Sequence, residues 1–478
     1  MCLSQVLVRW LLNEKGTSHI SEALQNVVII ALMGFSNFGY GTGVISGAAP
    51  IMKDALNLSV LELTCIVTST IIFAAVGAGF GGPLSDKYGR KRIILISGII
   101  SCIATIGCAL TLNILMLIGA RALLGIGIGL NFTVIPMYVA ETVPKDQRGR
   151  IVDLSDFSVV SGQLLSGIIN GFTSTFISND NLAWRLAIFL GILPPSILVL
   201  IIFLFDTSVE SPRWLISKSL IFQAKDTLAL LRLDEHFPKE SLSTQQYSQK
   251  EGASSSEDDQ EDNSSPQLEE KFLLIANEIE SIQKAISSIS SNSTQRHESN
   301  STYFRAQVDE HAQIDHHHHH HEEDVQEIEH HHHHEEEEKG REEKDQNKKI
   351  TLVKRMSTLR VQRALWLGIG IQILTQLSGI NAAMYYGADI CIDAGLPQET
   401  SIWLACGLTF AQLIGVKISL STVDIKGRRF TLLRSLLCVI PCLLLLGIAF
   451  LLDSSLAVLP LIGYLIAFGS GLSGVGYV

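Results

Sequence analysis

The chain has 478 residues, of which 47 % are apolar and only 17 % charged, with a mean hydropathy of +0.30. Soluble domains carry about 25 % charged residues, so this composition excludes a collagen-like or wholly disordered chain and argues against an ordinary cytosolic enzyme. The formal charge of −11 is unevenly spread: Asp234 to Lys349 holds 29 acidic against 11 basic residues, a net of −18, which leaves the rest at +7. Eight cysteines form no Cys-x-x-Cys pair, so neither a disulfide framework nor a zinc knuckle is indicated. Most sit inside apolar runs, where Cys is a small hydrophobe.

A helix crossing a bilayer needs roughly 20 mostly apolar residues. Six stretches satisfy this before residue 206: Asn26–Ala48, Leu61–Gly82, Ile93–Leu112, Ile114–Ala140, Ser155–Ile177 and Arg185–Phe205. Four follow a long polar segment: Ala364–Gly387, Ser401–Ser421, Phe430–Leu452 and Leu456–Val478. They are rich in glycine, which lets membrane helices pack closely. Lys87, Arg90, Lys91 and Arg92, then Lys145, Arg148 and Arg150, then Lys426, Arg428 and Arg429 fill every second short loop, while the opposite loops offer little beyond Lys53. The positive-inside rule therefore places the amino terminus, the even loops and the long segment in the cytosol. The expected domains are a cytosolic tail (1–25), a six-helix bundle (26–205), a cytosolic loop (206–363) and a four-span bundle (364–478).

The loop opens with Ser211-Pro212-Arg213-Trp214-Leu215 and an amphipathic helix near Gln223–Leu233, then turns Ser/Gln/Asp/Glu-rich. Such sequence cannot bury a core and is expected to be largely disordered, apart from a weak helical patch at Phe272–Ile286. Histidine runs at His316–His321 and His330–His334 read either as a low-complexity expansion or as a metal-responsive loop binding divalent cations weakly. None of the 15 histidines lies in a span, which argues against a metal carrier and leaves no metal ligand assigned.

Gly82-Pro83-Leu84-Ser85-Asp86-Lys87-Tyr88-Gly89-Arg90-Lys91-Arg92 follows the second span and recurs as Asp424-Ile425-Lys426-Gly427-Arg428-Arg429 after the eighth. A motif repeated six spans apart implies two related halves, as in many transporters. The acid of each motif can cap a neighbouring helix amino terminus, and the arginines can pair with carboxylates. Asp156, Gln163 and Asn170 are seven residues apart, so they share one face of the fifth span and form a polar stripe. Such a stripe is expensive in lipid and faces a cavity or holds helices together. Gln376 and Asn381 would diverge on an ideal helix, but Gly379 between them permits local unwinding. Arg121 is an intramembrane cation that must find a carboxylate or line water.

With Gly39-Tyr40-x-x-Gly43-Val44-Ile45-Ser46-Gly47, Arg121-x-x-x-Gly125-x-Gly127-x-Gly129, Pro136-Met137-Tyr138-x-x-Glu141, Arg148-Gly149, Gly162-Gln163-Leu164, Glu210-Ser211-Pro212-Arg213-Trp214-Leu215 and Gln376-Leu377-Ser378-Gly379-Ile380-Asn381 in order, the chain resembles the sugar porter family of the major facilitator superfamily. The resemblance implies an all-α membrane fold of two helical bundles, here six plus four of an expected six plus six spans, around a central sugar site. It implies alternating-access transport of a monosaccharide or polyol in a plasma or internal membrane, with the bilayer as the other partner, and no cofactor, nucleic acid or enzymatic role. By the same resemblance Asp156, Gln163, Thr375, Gln376 and Asn381 stand at sugar-contacting positions, and Tyr385 and Tyr386 at gate aromatics. Asp86, Arg90, Glu141, Arg148, Glu210, Arg213, Asp424, Arg428 and Arg429 match the cytosolic salt-bridge network.

Three departures bear on function. Proton-coupled members have Asp where this chain has Gly41, a contacting Gln is replaced by Asp156, and the first of two paired glutamines is Thr375. The missing carboxylate favours facilitated diffusion over proton symport. Leu461–Val478 reads as the start of a tenth helix, so a fragment or mispredicted end is expected rather than a ten-helix carrier. The competing reading is a non-transporting sensor or degenerate relative that signals through the acidic loop.

Overall fold

The computed structural model describes residues 21–144, 148–204, 208–232, 275–284, 359–452 and 457–473, with no side-chain placement for 148–153, 359–360, 364 and 424. The histidine runs and most of the acidic segment lie outside the described residues. Two compact units are present: Met1–Ile275 with Ile373–Val478, and Ala276–Gln372.

In the first unit, α1 (Glu22–Leu56), α2 (Val60–Tyr88), α3 (Arg90–Ala109), α4 (Ile114–Thr142), α5 (Arg148–Phe176) and α6 (Asp180–Leu204) follow the six expected spans. Four of the six starts carry a side-chain cap from a residue just before the helix. Ser21, Asn113 and Asn179 accept from Leu24, Met116 and Leu182 backbone N–H groups, and Ser59 with Glu62 closes a full capping box on α2. α6 tightens to one 3-10 turn at Leu190–Ile192, just before Pro194 and Pro195. Pro cannot donate to an α-helical ladder, which explains the local change of winding.

α7 (Pro212–Ser217) and α8 (Ile221–Arg232) follow, the latter close to the expected amphipathic helix. The second unit contains most of α9 (275–284), within the expected patch, where Lys284 and Glu280 pair at 2.7 Å. It also holds the first part of α10 (Leu359–Leu377). The first unit resumes within α10 and continues through α11 (Ile380–Tyr385), α12 (Gly387–Asp393), α13 (Gln398–Lys426), α14 (Arg428–Leu451) and α15 (Val458–Ala467), with a π-helical turn at Phe468–Leu472.

Seven described helices are long and apolar enough to cross a membrane: α1 to α4, α6, α13 and α14. The expected seventh span differs, because the chain breaks at Gly379 and again at Tyr386 instead of running through to Gly387. At the first break Gly379 takes φ +85°, a left-handed backbone that a side chain disfavours. No atom lies within 4 Å of a β-carbon built there, so Gly379→Ala tests backbone strain alone. It is expected to cost about 1–2 kcal/mol, read as a lowered thermal midpoint in detergent.

The repeated loop motif has a matching geometry in both halves. Gly89 (φ +100°) sits between α2 and α3, and Gly427 (φ +78°) between α13 and α14, so each tight turn uses a backbone region open to glycine. α2 packs extensively on α4, and α1 on α5. In the second pair the contact is backbone to backbone: a β-carbon on Gly39 would overlap the Val159 carbonyl, and one on Gly43 would lie 2.8 Å from Gln163 Cα. α5 packs on its other side against α13, which links the two bundles.

Candidate functional site

α5 is held between α1 and the second bundle, and its polar stripe is buried. Asp156, Gln163 and Asn170 are 4 %, 7 % and 1 % exposed. Gln163 Nε2 donates to Thr42 Oγ1 at 3.2 Å, and Asn170 Nδ2 donates to the Val44 carbonyl at 3.0 Å. Both amides thus tie α5 to α1, while Gln163 Oε1 and Asn170 Oδ1 are buried with no hydrogen-bond donor among the described residues. A buried acceptor left without a donor costs about 1–3 kcal/mol, which a ligand hydroxyl would recover. Ser473 Oγ donates to both oxygens of Asp156 at 2.7 Å.

The break at Gly379 brings the diverging amides of the seventh span together. Asn381 Nδ2 donates to Gln376 Oε1 at 2.5 Å, and both residues are exposed. Tyr464 of α15 fixes this break by donating its hydroxyl to the Ser378 carbonyl at 3.0 Å. Thr375, one residue before Gln376, is largely buried. Tyr385 packs in an apolar cluster with Tyr40, Trp184, Ile402 and Ala405, and the partly buried Tyr386 packs against it.

Of the two partners expected for Arg121, a carboxylate or water, no carboxylate pairs with it among the described residues. Arg121 is 1 % exposed, and its Nη1 and Nη2 each donate to the Gly41 carbonyl at 3.4 Å. Its Nε has no hydrogen-bond partner, and among the described residues no ion pair forms with it. The reason is local: position 41 has no side chain, so α1 offers only main chain to the guanidinium.

At the end bearing the basic loops, Arg90 lies at the centre of a dense cluster. Its Nε is 2.9 Å from Glu141 Oε2, a second guanidinium nitrogen reaches Glu141 Oε1 at 3.2 Å, and Asp86 pairs with it at 2.8 Å. Such a forked pair is geometrically demanding and strong. Ser211 Oγ donates to Glu141 at 2.5 Å. The acid that caps α3 is Glu210 and not Asp86: its carboxylate accepts from Arg90 N at 2.9 Å and Lys91 N at 3.1 Å. Burial pushes the Glu210 carboxyl up, partly offset by those backbone donors. Asp86 turns instead to Arg90, and its carbonyl accepts from Trp214 Nε1.

The other expected network members are not gathered there. Arg213, Arg428 and Arg429 are exposed with no ion pair among the described residues, and the side chains of Arg148 and Asp424 lie outside them. Sequence reasoning also missed Ser473, and Gln412 of α13, which is buried with Oε1 unpartnered. A polar residue inside an apolar run was the only available signal for either.

The profile of the family described as "Sugar (and other) transporter" matches residues 27–275 and 295–478. The chain belongs to that family. The sugar transporter-family chain is 27 % identical over 442 residues to the major myo-inositol transporter IolT of Bacillus subtilis, covering 91 % of this chain and 72 % of that one. It is 26 % identical over 432 residues to the human proton myo-inositol cotransporter, covering 90 % of this chain and 52 % of the human one. In fold it matches the partially occluded inward-open xylose transporter XylE of E. coli, with a TM-score of 0.64 at 19 % identity, covering 95 % and 85 % of the two chains. The fold is that of the major facilitator superfamily, and the protein is a multi-pass membrane protein of a transporter family.

Proposed function

We propose that this protein carries a neutral monosaccharide or polyol across a plasma or internal membrane by alternating access, as facilitated diffusion. The observation that supports this reading is the set of neutral amides on α5 and around the Gly379 break, with hydrogen-bonding atoms left for hydroxyl groups. In this reading Asp156, Gln163, Thr375, Gln376 and Asn381 contact the solute, while Tyr385 and Tyr386 gate it. The amino terminus and acidic loop are cytosolic. The Arg90 cluster braces that side, and Arg148, Arg213, Asp424, Arg428 and Arg429 pair when it closes. The names of the bacterial and human relatives point to a polyol such as myo-inositol. The human relative is named a proton cotransporter, so facilitated diffusion rests on Gly41 beside Arg121 alone.

Uptake of labelled myo-inositol, D-glucose and D-xylose into proteoliposomes tests the reading, and no uptake of any by folded protein would overturn it. Gln163→Ala and Asn381→Ala are expected to weaken apparent affinity 2- to 12-fold, from a net loss of about 0.5–1.5 kcal/mol per hydrogen bond. Surface expression should stay at the wild-type level. An equal loss of folded protein in both variants would mark the two amides as packing groups.

A further inference from the structure

Three acceptors lie along one face of α5, and each is arranged to receive a donated hydrogen. Gln163 and Asn170 spend their N–H groups on α1 and keep their oxygens unpartnered. Asp156, two turns nearer the basic-loop end, presents both carboxylate oxygens to the Ser473 hydroxyl. An ionised carboxylate only accepts hydrogen bonds, whereas the Gln expected at this position both donates and accepts. The Asp156–Ser473 bond also joins the bundles: Asp156 is on α5, and Ser473 directly follows the π turn after α15. Both residues are buried, at 4 % and 5 % exposed.

We propose that Asp156 selects solutes by the hydroxyls they donate, and that Ser473 occupies Asp156 until the solute arrives. This rests on the transport reading above and names the chemistry it selects for. A solute hydroxyl replaces the Ser473 hydroxyl donor for donor, so the carboxylate stays hydrogen-bonded while this one bond between the bundles is released. An ether oxygen brings no hydrogen and cannot make the exchange. A sugar acid brings a second negative charge into a weakly screened site, where repulsion is strong. The solute is therefore a neutral polyol or sugar with free hydroxyls.

The test uses the full chain in proteoliposomes with labelled myo-inositol, D-glucose and D-xylose, and D-glucuronate as competitor. Ser473→Ala is expected to lower the half-saturating concentration by about 2- to 12-fold, because Asp156 no longer surrenders a donor to bind solute. The same substitution in an Asp156→Ala background, which leaves no acceptor for the Ser473 hydroxyl, should have no such effect, which isolates the coupling between the two residues. Asp156→Asn should also let D-glucuronate compete about tenfold better, relative to D-glucose, than in the wild type. Unchanged or raised half-saturation in Ser473→Ala, or unchanged rejection of glucuronate in Asp156→Asn, overturns the inference alone. A folded wild type that carries no probe overturns the transport reading and this inference with it.

Discussion

Proteoliposomes containing the protein are expected to bring labelled solute to equal concentrations on both sides and no further, whether or not a proton gradient is imposed. A carrier coupled to one proton would accumulate solute about tenfold per pH unit, because 1.4 kcal/mol is a factor of ten. The expectation follows from Gly41, which cannot titrate, standing where Arg121 has only a carbonyl to face. Gly41→Asp supplies the missing group. A β-carbon there meets nothing nearer than Ile128 Cδ1 at 3.3 Å, a side-chain tip able to give way. The variant should acquire a proton-dependent uptake that the wild type lacks. Wild-type accumulation above equilibrium that collapses with an uncoupler would defeat facilitated diffusion, and its loss in Asp156→Asn would place the proton at Asp156.

Glu141→Ala is expected to be the most destabilising single change in the basic-loop cluster. The Arg90 and Glu141 side chains are 9 % and 11 % exposed, so removing the acid strands a cation with little water to receive it. Breaking a buried pair from one side costs about 3–5 kcal/mol, a large part of the roughly 5–15 kcal/mol that holds a typical domain. Asp86 remains on Arg90 but is 70 % exposed, where an ion pair contributes little. Folded yield and thermal midpoint in detergent should both fall sharply. Replacing Arg90 and Glu141 together with Leu should recover much of the loss, because no lone charge is left. A Glu141→Ala protein as stable as the wild type would show that the pair acts as a surface contact.

The first six helices were legible because a long apolar run states its own requirement without reference to tertiary structure. The repeated loop was legible for a similar reason: Gly89 and Gly427 occupy turns whose backbone each half needs locally. The Gly379 break followed from a glycine between two amides that no straight helix could align, whereas the second break at Tyr386 had no such marker. Long-range pairings stayed hidden. Nothing near Asp86 announces that Glu210 would take the α3 amino terminus from it, since Glu210 enters from the far end of α6. Nor does any feature around Arg121 show that its hydrogen bonds end on main chain. The direction of each α5 amide is likewise decided by Thr42 and Val44 on a different helix.

The glycine seam between α1 and α5 has a mechanical consequence. Gly39 and Gly162 meet the main chain of Val159 and Ser36, Gly43 meets Ser166 and Gln163, and Gly47 meets the Asn170 side chain, so the helices interlock at close range. Close-packed atoms of this kind are poorly compressible. A bilayer thicker or thinner than the apolar stretch is accommodated largely by tilting helices. Here the two helices tilt together as one strut, and the amides keep their spacing from Thr42 and Val44. Acyl-chain length should therefore alter how fast the bundles rock while leaving the strength of solute recognition nearly constant.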